Sequence, residues 1–357
     1  GNEMFHSHFW TDWFADLNYG PAAEAEKSDA FKALTSAADK WINLGVDGFR
    51  LDAVKHIYHN AYSSENPIFL KKFYDRCNTT FKARGGNGDF YMVGEMLDDC
   101  DNVAPYYAGL PALFEFSFWY KLKWALQNNT GLYFAHDIIS MQSAYSQYRT
   151  DYIEATKLSN HDEDRTGSDL DKSKEKMKLA AAVLMTSQGH PYIYQGEELG
   201  YWGTKSRGDE YVRTPIIWDR SSTNTATAGV NGKYDSGMLT KAMSVEAQSE
   251  DSNSVLSVYR YFTKLRNAHP ALASGKMSRH PDYDENRQTD KNIAAWFMEG
   301  DGEKLLVVHN FGNTQYDAYF HDDLSQAVGL HGTASAYKTA DTWKLTLGAY
   351  SSVIFKQ

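Results

Sequence analysis

"GVDGFRLDAVKH", residues 45–56, places an arginine, an aspartate, a lysine and a histidine within seven positions of a segment that otherwise reads as a buried strand. Side chains two apart on a strand point to one face. Gly48, Arg50 and Asp52 then share a face, and Phe49 and Leu51 share the opposite one. An apolar face of that kind packs against helices in a parallel sheet. A guanidinium beside a carboxyl favours its ionised form, so Asp52 is expected as a carboxylate at neutral pH. Two readings of the pair stand at this point, a structural ion pair near a strand end and a functional carboxylate.

Outward from this strand (46–53) the chain alternates helices and strands. Before it, Ser28 can cap a helix whose apolar positions Phe31, Leu34, Ala38, Trp41 and Ile42 keep helical spacing and which Gly45 ends. After it come a helix over about 67–83 and the strand "DFYMVGEM" (89–96). "ALFEFSFWY" (112–120) and "EATKLSNHD" (154–162) read as two more strands, followed by a helix over about 171–187 and a fifth strand, "PYIYQGEEL" (191–199). A polar stretch to about 254 precedes the helix "SVLSVYRYFTKLRNAH". Such alternation predicts βα units around a parallel sheet. The 201–254 stretch exceeds a plain connection of about 12–15 residues and is therefore functional or locally structured. Its Trp202, Tyr211 and Trp218 are suited either to stacking on a sugar or to packing. Beyond Pro270 the pattern changes to strands without helices, such as "NIAAWFME", "KLLVVHNF" and "YSSVIFKQ", which predicts a small antiparallel β domain.

Composition narrows the partners. Hydrophobic residues at 42% and charged residues at 23% are ordinary for a soluble globular chain of 357 residues. The formal net charge of -10 argues against nucleic acid or an anionic membrane, since both need a basic surface. A neutral ligand fits better. Aromatic residues make up 14%, including 24 Tyr and 9 Trp, and aromatic faces stack on the C–H faces of sugars as well as on protein partners. Cys77 and Cys100 offer no metal spacing and read as free thiols. The opening "GNEMFHSHFW" carries no signal or lipidation pattern and reads as a cut.

Three acids now stand at equivalent places. In barrels of parallel strands, catalytic groups sit at strand C-terminal ends. Asp52 ends the first strand, Glu95 the second, and Asp162 the fourth, with His161 beside it. Each alone has a mundane explanation as a helix cap or a solvated loop acid. Together they form a convergent carboxylate set, and none has the spacing of a zinc site.

"GFRLDAVKH", "GEM" and "LSNHDEDR", in that order and at these separations, resemble the signature blocks of the α-amylase family of glycoside hydrolases. "FADLNYGP" (14–21) resembles the block that closes that family's domain B, and "GHPYIYQGEELG" its eighth barrel strand. The resemblance runs from about residue 14 to the chain end. It implies an α/β fold made of the C-terminal five βα units, strands 4 to 8, of a TIM (β/α)8 barrel, followed by a small antiparallel β-sandwich. Domain B would end at 1–20, the barrel would occupy 21–270 and the sandwich 271–357. The first three strands would be missing, so an N-terminal half of the same enzyme is expected as a partner, because an open barrel remnant leaves an unpaired edge.

By the same resemblance Asp52 is the nucleophile, Glu95 the acid/base and Asp162 the acid that grips sugar hydroxyls. Arg50 keeps the nucleophile ionised, His161 binds sugar at the bond-breaking position, and Lys55 and His56 line the leaving-group side. The implied activity is retaining, endo-acting hydrolysis of α-1,4-glucosidic bonds in starch and maltooligosaccharides. Neopullulanase-like, glucan-transferring and non-catalytic glucan-binding relatives are the alternatives. Calcium is implied as a cofactor, with the His56 backbone carbonyl as one ligand, while "DDCDN" (98–102) reads as an acidic turn and not as a calcium loop. The resemblance also implies an extracellular or bacterial cell-surface location, at the outer membrane, with other starch-uptake proteins as partners.

Overall fold

The computed structural model describes residues 15–219, 238, 240–283 and 290–357. The first 14 residues of the expected domain B remnant, and 220–237 and 239 of the long polar stretch, lie outside the described residues. The chain forms two compact units, Gly1–Ser117 with Met141–Ala155, and Phe118–Ser140 with Thr156–Gln357.

In the first unit, helix α1 (Asp29–Asn43) starts where expected, the Ser28 hydroxyl accepting the Phe31 N–H at 3.1 Å. It buries Phe31, Thr35, Ala38 and Ile42, whereas Trp41 of the expected stripe is exposed. Strand β1 (Gly48–Leu51), helix α2 (Glu65–Ala83) and strands β2 (Tyr91–Gly94), β3 (Ala112–Glu115) and β4 (Ile153–Thr156) follow. The four strands make one sheet in chain order, with β1 parallel to β2 and β2 parallel to β3. Gly48 opposite Tyr91 has a steric reason: a Cβ there would lie 2.5 Å from the Tyr91 carbonyl oxygen. Phe49 meets Phe90 edge-on at 5.1 Å, and Phe90 meets Phe81 of α2 at 5.6 Å, so the apolar face of β1 does pack on a helix.

Three expectations need correction, the first being the fourth strand, which stops at Thr156 and does not run on to Asp162. The third strand does not run to residue 120; it stops at Glu115, and Phe116–Gln127 is helix α3. Phe114-Glu115-Phe116-Ser117-Phe118 alternates with period 2 and so imitates a strand across the point where the helix begins. The turn itself is set by Glu115, whose Oε1 accepts the Ser117 N–H at 2.9 Å. A further helix, α4 (Phe134–Ser146), has no counterpart in the sequence reading. Residues 191–199 are not a strand either. They contribute one parallel bridge, Lys157 to Tyr192, with the Tyr192 N–H on the Thr156 carbonyl at 2.8 Å. Pro191 lacks a ladder donor and Gly196 adopts φ +84°, after which the chain closes in turns from Tyr194 to Tyr201.

The second unit is built around helices α5 (Lys174–Thr186) and α6 (Val255–Ala268) and eight antiparallel strands. These are β5 (Lys276–Arg279), β6 (Ile293–Gly300), β7 (Glu303–Asn310), β8 (Tyr316–Phe320), β9 (Ala327–His331), β10 (Ala334–Lys338), β11 (Trp343–Leu347) and β12 (Ser352–Lys356). They form a five-stranded sheet, β5-β6-β7-β12-β9, and a three-stranded sheet, β10-β11-β8. One core joins the two sheets: Ala295, Phe297, Leu306 and Val353 from the first with Ala318, Phe320, Leu345 and Leu347 from the second. The larger sheet is apolar on its other face as well. There Trp296 donates its indole N–H to the Thr186 carbonyl at 3.3 Å, and His309 bridges the Thr186 and Ser352 hydroxyls at 3.1 and 2.7 Å. Burial pushes the His309 pKa down to about 3, so the ring is neutral. Within the long polar stretch, the described residues form short helical turns at Lys205–Arg207, Asp209–Val212, Lys241–Met243 and Val245–Glu250.

Candidate active site

The first group of candidates grows out of the β1–β2 ladder. Pairing continues past the strand ends, the Glu95 N–H reaching the Leu51 carbonyl at 2.8 Å and the Val54 N–H reaching the Glu95 carbonyl at 3.0 Å. Glu95 is thereby held beside the Leu51–Val54 turn. Between them Ala53 takes a left-handed conformation, φ 46° and ψ 45°, which costs a non-glycine residue energy and recurs at functional sites. Arg50 bridges the two acids: Nη1 meets Asp52 Oδ1 at 2.6 Å and Nη2 meets Glu95 Oε2 at 3.1 Å. Asp52 keeps 71% of its side chain exposed, Glu95 only 15%. The Glu95 pKa is raised, first by burial; the Arg50 charge opposes this, while a hydrogen bond with Asp52 and its negative charge reinforce it.

Lys55 and His56 occupy the short 3-10 turn after Ala53. The Lys55 ammonium donates to the Leu97 carbonyl at 2.6 Å and to Asp98 at 3.0 Å. The Asp98 carboxylate also accepts from the Asn102 amide and the Asp99 N–H, so it acts as a turn-forming acid within "DDCDN". Asn66, buried, accepts the Tyr58 N–H and donates to the Lys55 carbonyl, and its amide also reaches the Tyr106 hydroxyl. Neither Asp98 nor Asn66 stands out individually in the sequence; for Asp98 the signal is its acidic cluster.

The second group lies in the second unit, after the end of β4. Asp162 Oδ1 receives Arg213 at 2.7 Å and Lys205 at 3.1 Å, while His161 Nε2 lies 2.9 Å from Oδ2. Arg213 also donates through Nε to the His161 carbonyl at 2.9 Å. Partial burial pushes the Asp162 pKa up, but the hydrogen bonds and charges of Lys205, His161 and Arg213 outweigh it, and the net shift is downward. Lys205 and Arg213 are neighbours of Asp162 that the sequence does not announce, since a cation 43 or 51 residues away leaves no local pattern. Of the loop aromatics, Trp202 packs beside Leu199 and Ile217, Tyr211 stacks under Arg207 at 4.1 Å, and Trp218 is exposed.

Arg50, Asp52, Lys55, His56 and Glu95 thus stand together in the first unit, and His161 and Asp162 stand together in the second.

A family sequence pattern described as "Alpha amylase, catalytic domain" matches residues 2–275. The chain belongs to the α-amylase family. A second pattern, "Alpha-amylase SusG C-terminal domain", matches residues 293–354. The chain is 55% identical to the α-amylase SusG of Bacteroides thetaiotaomicron over 99% of its own length and 50% of that protein's. It is 30% identical to alpha-amylase 3 of Dictyoglomus thermophilum, over 99% of this chain and 65% of that one. The crystal structure of an α-amylase from H. orenii superposes with a TM-score of 0.80 at 24% identity, covering 96% of this chain and 66% of that one, a likeness of fold. The chain spans about half the length of SusG.

Calcium is common in α-amylases, and it takes six to eight oxygen ligands. Among the described residues no cluster of three or more His, Cys, Asp or Glu side chains could hold a metal, and one His56 carbonyl does not make a site. The residues present do not fit the ion by themselves. No described helix is long and apolar enough to cross a membrane. Both cysteines are free.

Proposed function

We propose that the protein hydrolyses α-1,4-glucosidic bonds in starch and maltooligosaccharides with retention at the anomeric carbon, cutting internally, and that Asp52, Glu95 and Asp162 carry the reaction. The observation that bears most weight is the shared Arg50 bridge, which holds an open carboxylate and a half-hidden, proton-retaining one side by side. In this reading the Asp52 carboxylate attacks the anomeric carbon as the bond to the leaving oxygen breaks. Glu95 gives that oxygen its proton. The Glu95 carboxylate then takes a proton from water, whose oxygen attacks the same carbon and frees Asp52. Asp162 and His161 hold sugar hydroxyls as the ring flattens toward the oxocarbenium ion, and Lys55 and His56 line the leaving-group side.

Two further elements belong to the proposal. The sheet ends in β1 on one side, and an unpaired parallel edge requires cover. An N-terminal half supplying the remaining strands of a TIM barrel meets that need. A bacterial cell-surface setting with other starch-uptake proteins, and a calcium ion completed by ligands beyond those described, rest on the block resemblance.

Proton NMR of maltoheptaose with the natively produced protein tests the reading. Fresh α-anomer appearing before mutarotation is the expected result. Fresh β-anomer, or release of only terminal maltose units, would refute retention or internal cleavage respectively.

A further inference from the structure

The residues between Ser159 and Thr166 carry His161 and Asp162, and both ends of that span converge on one buried carboxylate. Glu197 is 4% exposed. Its Oε2 accepts the Ser159 N–H at 3.2 Å, the Ser159 hydroxyl at 2.9 Å and the Thr166 hydroxyl at 3.4 Å. Its Oε1 accepts the Tyr259 hydroxyl at 2.7 Å, and Tyr259 lies on α6. The span is thus closed like a loop on a single pin that a long helix holds from behind.

Neighbouring contacts brace the same pin. Arg165, buried, donates its N–H to the Gly203 carbonyl at 3.0 Å and Nη1 to the Gln195 carbonyl at 2.8 Å. Its guanidinium lies 4.7 Å from the Tyr194 ring and 5.6 Å from the Tyr201 ring. Gly196, next to Glu197, has φ +84°, and a Cβ there would come within 2.5 Å of the Tyr201 ring. The backbone that presents Glu197 is therefore itself held in one conformation.

We infer that Glu197 is a positioning residue for the reaction: it sets where Asp162 and His161 stand, without touching substrate. The inference rests on the α-glucan reading for its kinetic consequence, though not for its structural one. The ionised carboxyl group accepts with both of its oxygens. Two oxygens with four lone-pair sites can satisfy four donors, whereas a glutamine of equal size offers one acceptor oxygen and turns two N–H donors toward hydroxyls. An amide puts an N–H donor where one of the two oxygens now accepts, so at least one of the Ser159, Thr166 and Tyr259 hydroxyls must turn from donating to accepting, which shifts the contacts that anchor the span.

The test is Glu197→Gln in the natively produced protein, with two readouts. The first is the split of kcat and KM on maltoheptaose. A displaced transition-state contact lowers kcat, here by between about 10- and 100-fold, with KM within about 2-fold. The second is the ring 1H–15N spectrum of His161, identified by its loss in His161→Asn, which should move without substrate present. Glu197→Asp, which keeps the charge, should recover part of both. Tyr259→Phe and Thr166→Val should each move the His161 signals less than Glu197→Gln does.

Unchanged kcat together with unmoved His161 signals in Glu197→Gln would overturn the inference, leaving Glu197 a member of the core only. Should that variant fail to fold, Tyr259→Phe and Ser159→Ala decide by the same two readouts. An unsubstituted protein that releases no sugar refutes the glucan reading instead, and the His161 spectrum then decides the positioning role alone.

Discussion

At the end of β1 one guanidinium serves two carboxylates; after β4 one carboxylate receives two cations and an imidazole. The second cluster also holds Asp209, which pairs with both Lys205 and Arg213 at 2.6 and 2.8 Å. Where acids outnumber the cation, burial wins and Glu95 holds its proton more tightly than a free glutamate. Where two cations and an imidazole converge on one carboxylate, they win over partial burial and Asp162 is the firmer anion. Deeper burial at Glu95 and the convergence of cations on Asp162 together push the two carboxyl groups apart, as the proposed roles of proton donor and hydroxyl holder require.

The contrast can be broken at its strongest point first. Asp52→Asn removes the proposed nucleophile and should cost on the order of 10⁴-fold or more in kcat, by analogy with other nucleophile deletions. Retained starch hydrolysis in that variant would dissolve the distinction between the clusters. Glu95→Gln should cost about 10²–10⁴-fold on substrates with poor leaving groups and far less on an activated aryl glycoside, which needs no proton. Equal losses on both substrates would remove Glu95 from the acid role.

Changing the charges sharpens the comparison. Since Arg50 lowers the Glu95 pKa, Arg50→Gln should move the alkaline limb of the kcat/KM profile to higher pH. Movement to lower pH would reverse the assigned sign. At the other cluster, Arg213→Ala leaves Lys205 and His161 on Asp162, and a loss of about 10-fold or less is expected, read as kcat on maltoheptaose.

The smallest effect is on stability. Burial raises the Glu197 pKa from 4.5 to about 7. The folded state therefore binds more protons than the unfolded one between those values, and stability falls as pH rises through that window. Thermal unfolding should show this fall in the native chain and lose it in Glu197→Gln. A Tm that rises for the native chain relative to the variant from pH 4.5 to 7 would contradict it.

The site is more legible in the sequence than the scaffold is. Period-2 spacing alone puts Arg50 and Asp52 on one face, and the two do meet. The strand-end rule picks Glu95, and the ladder extending past Gly94 brings it beside the Leu51–Val54 turn. The same rule places Asp162 near a strand end, although β4 stops at Thr156 and Asp162 stands in the turns beyond. Groups joined through space alone leave no mark on the sequence: Arg213 on Asp162, Asp98 on Lys55, and Tyr259 on Glu197 across 62 residues. Residues 116–120 pass for strand because Phe114-Glu115-Phe116-Ser117-Phe118 alternates with period 2, and 191–199 because the run looks strand-like while Pro191 and Gly196 prevent a ladder.

The seam formed by Trp296 and His309 bears on how such a chain can be divided. Because β6 and β7 hydrogen-bond the last residue of α5, the sandwich is the outer wall of a helix and not a detachable bead. A cut near residue 275 would bare an aromatic, neutral-histidine face on one fragment and the end of α5 on the other. A sandwich exchanged in from a relative would then have to present the same face, even though separate sequence patterns describe the two parts.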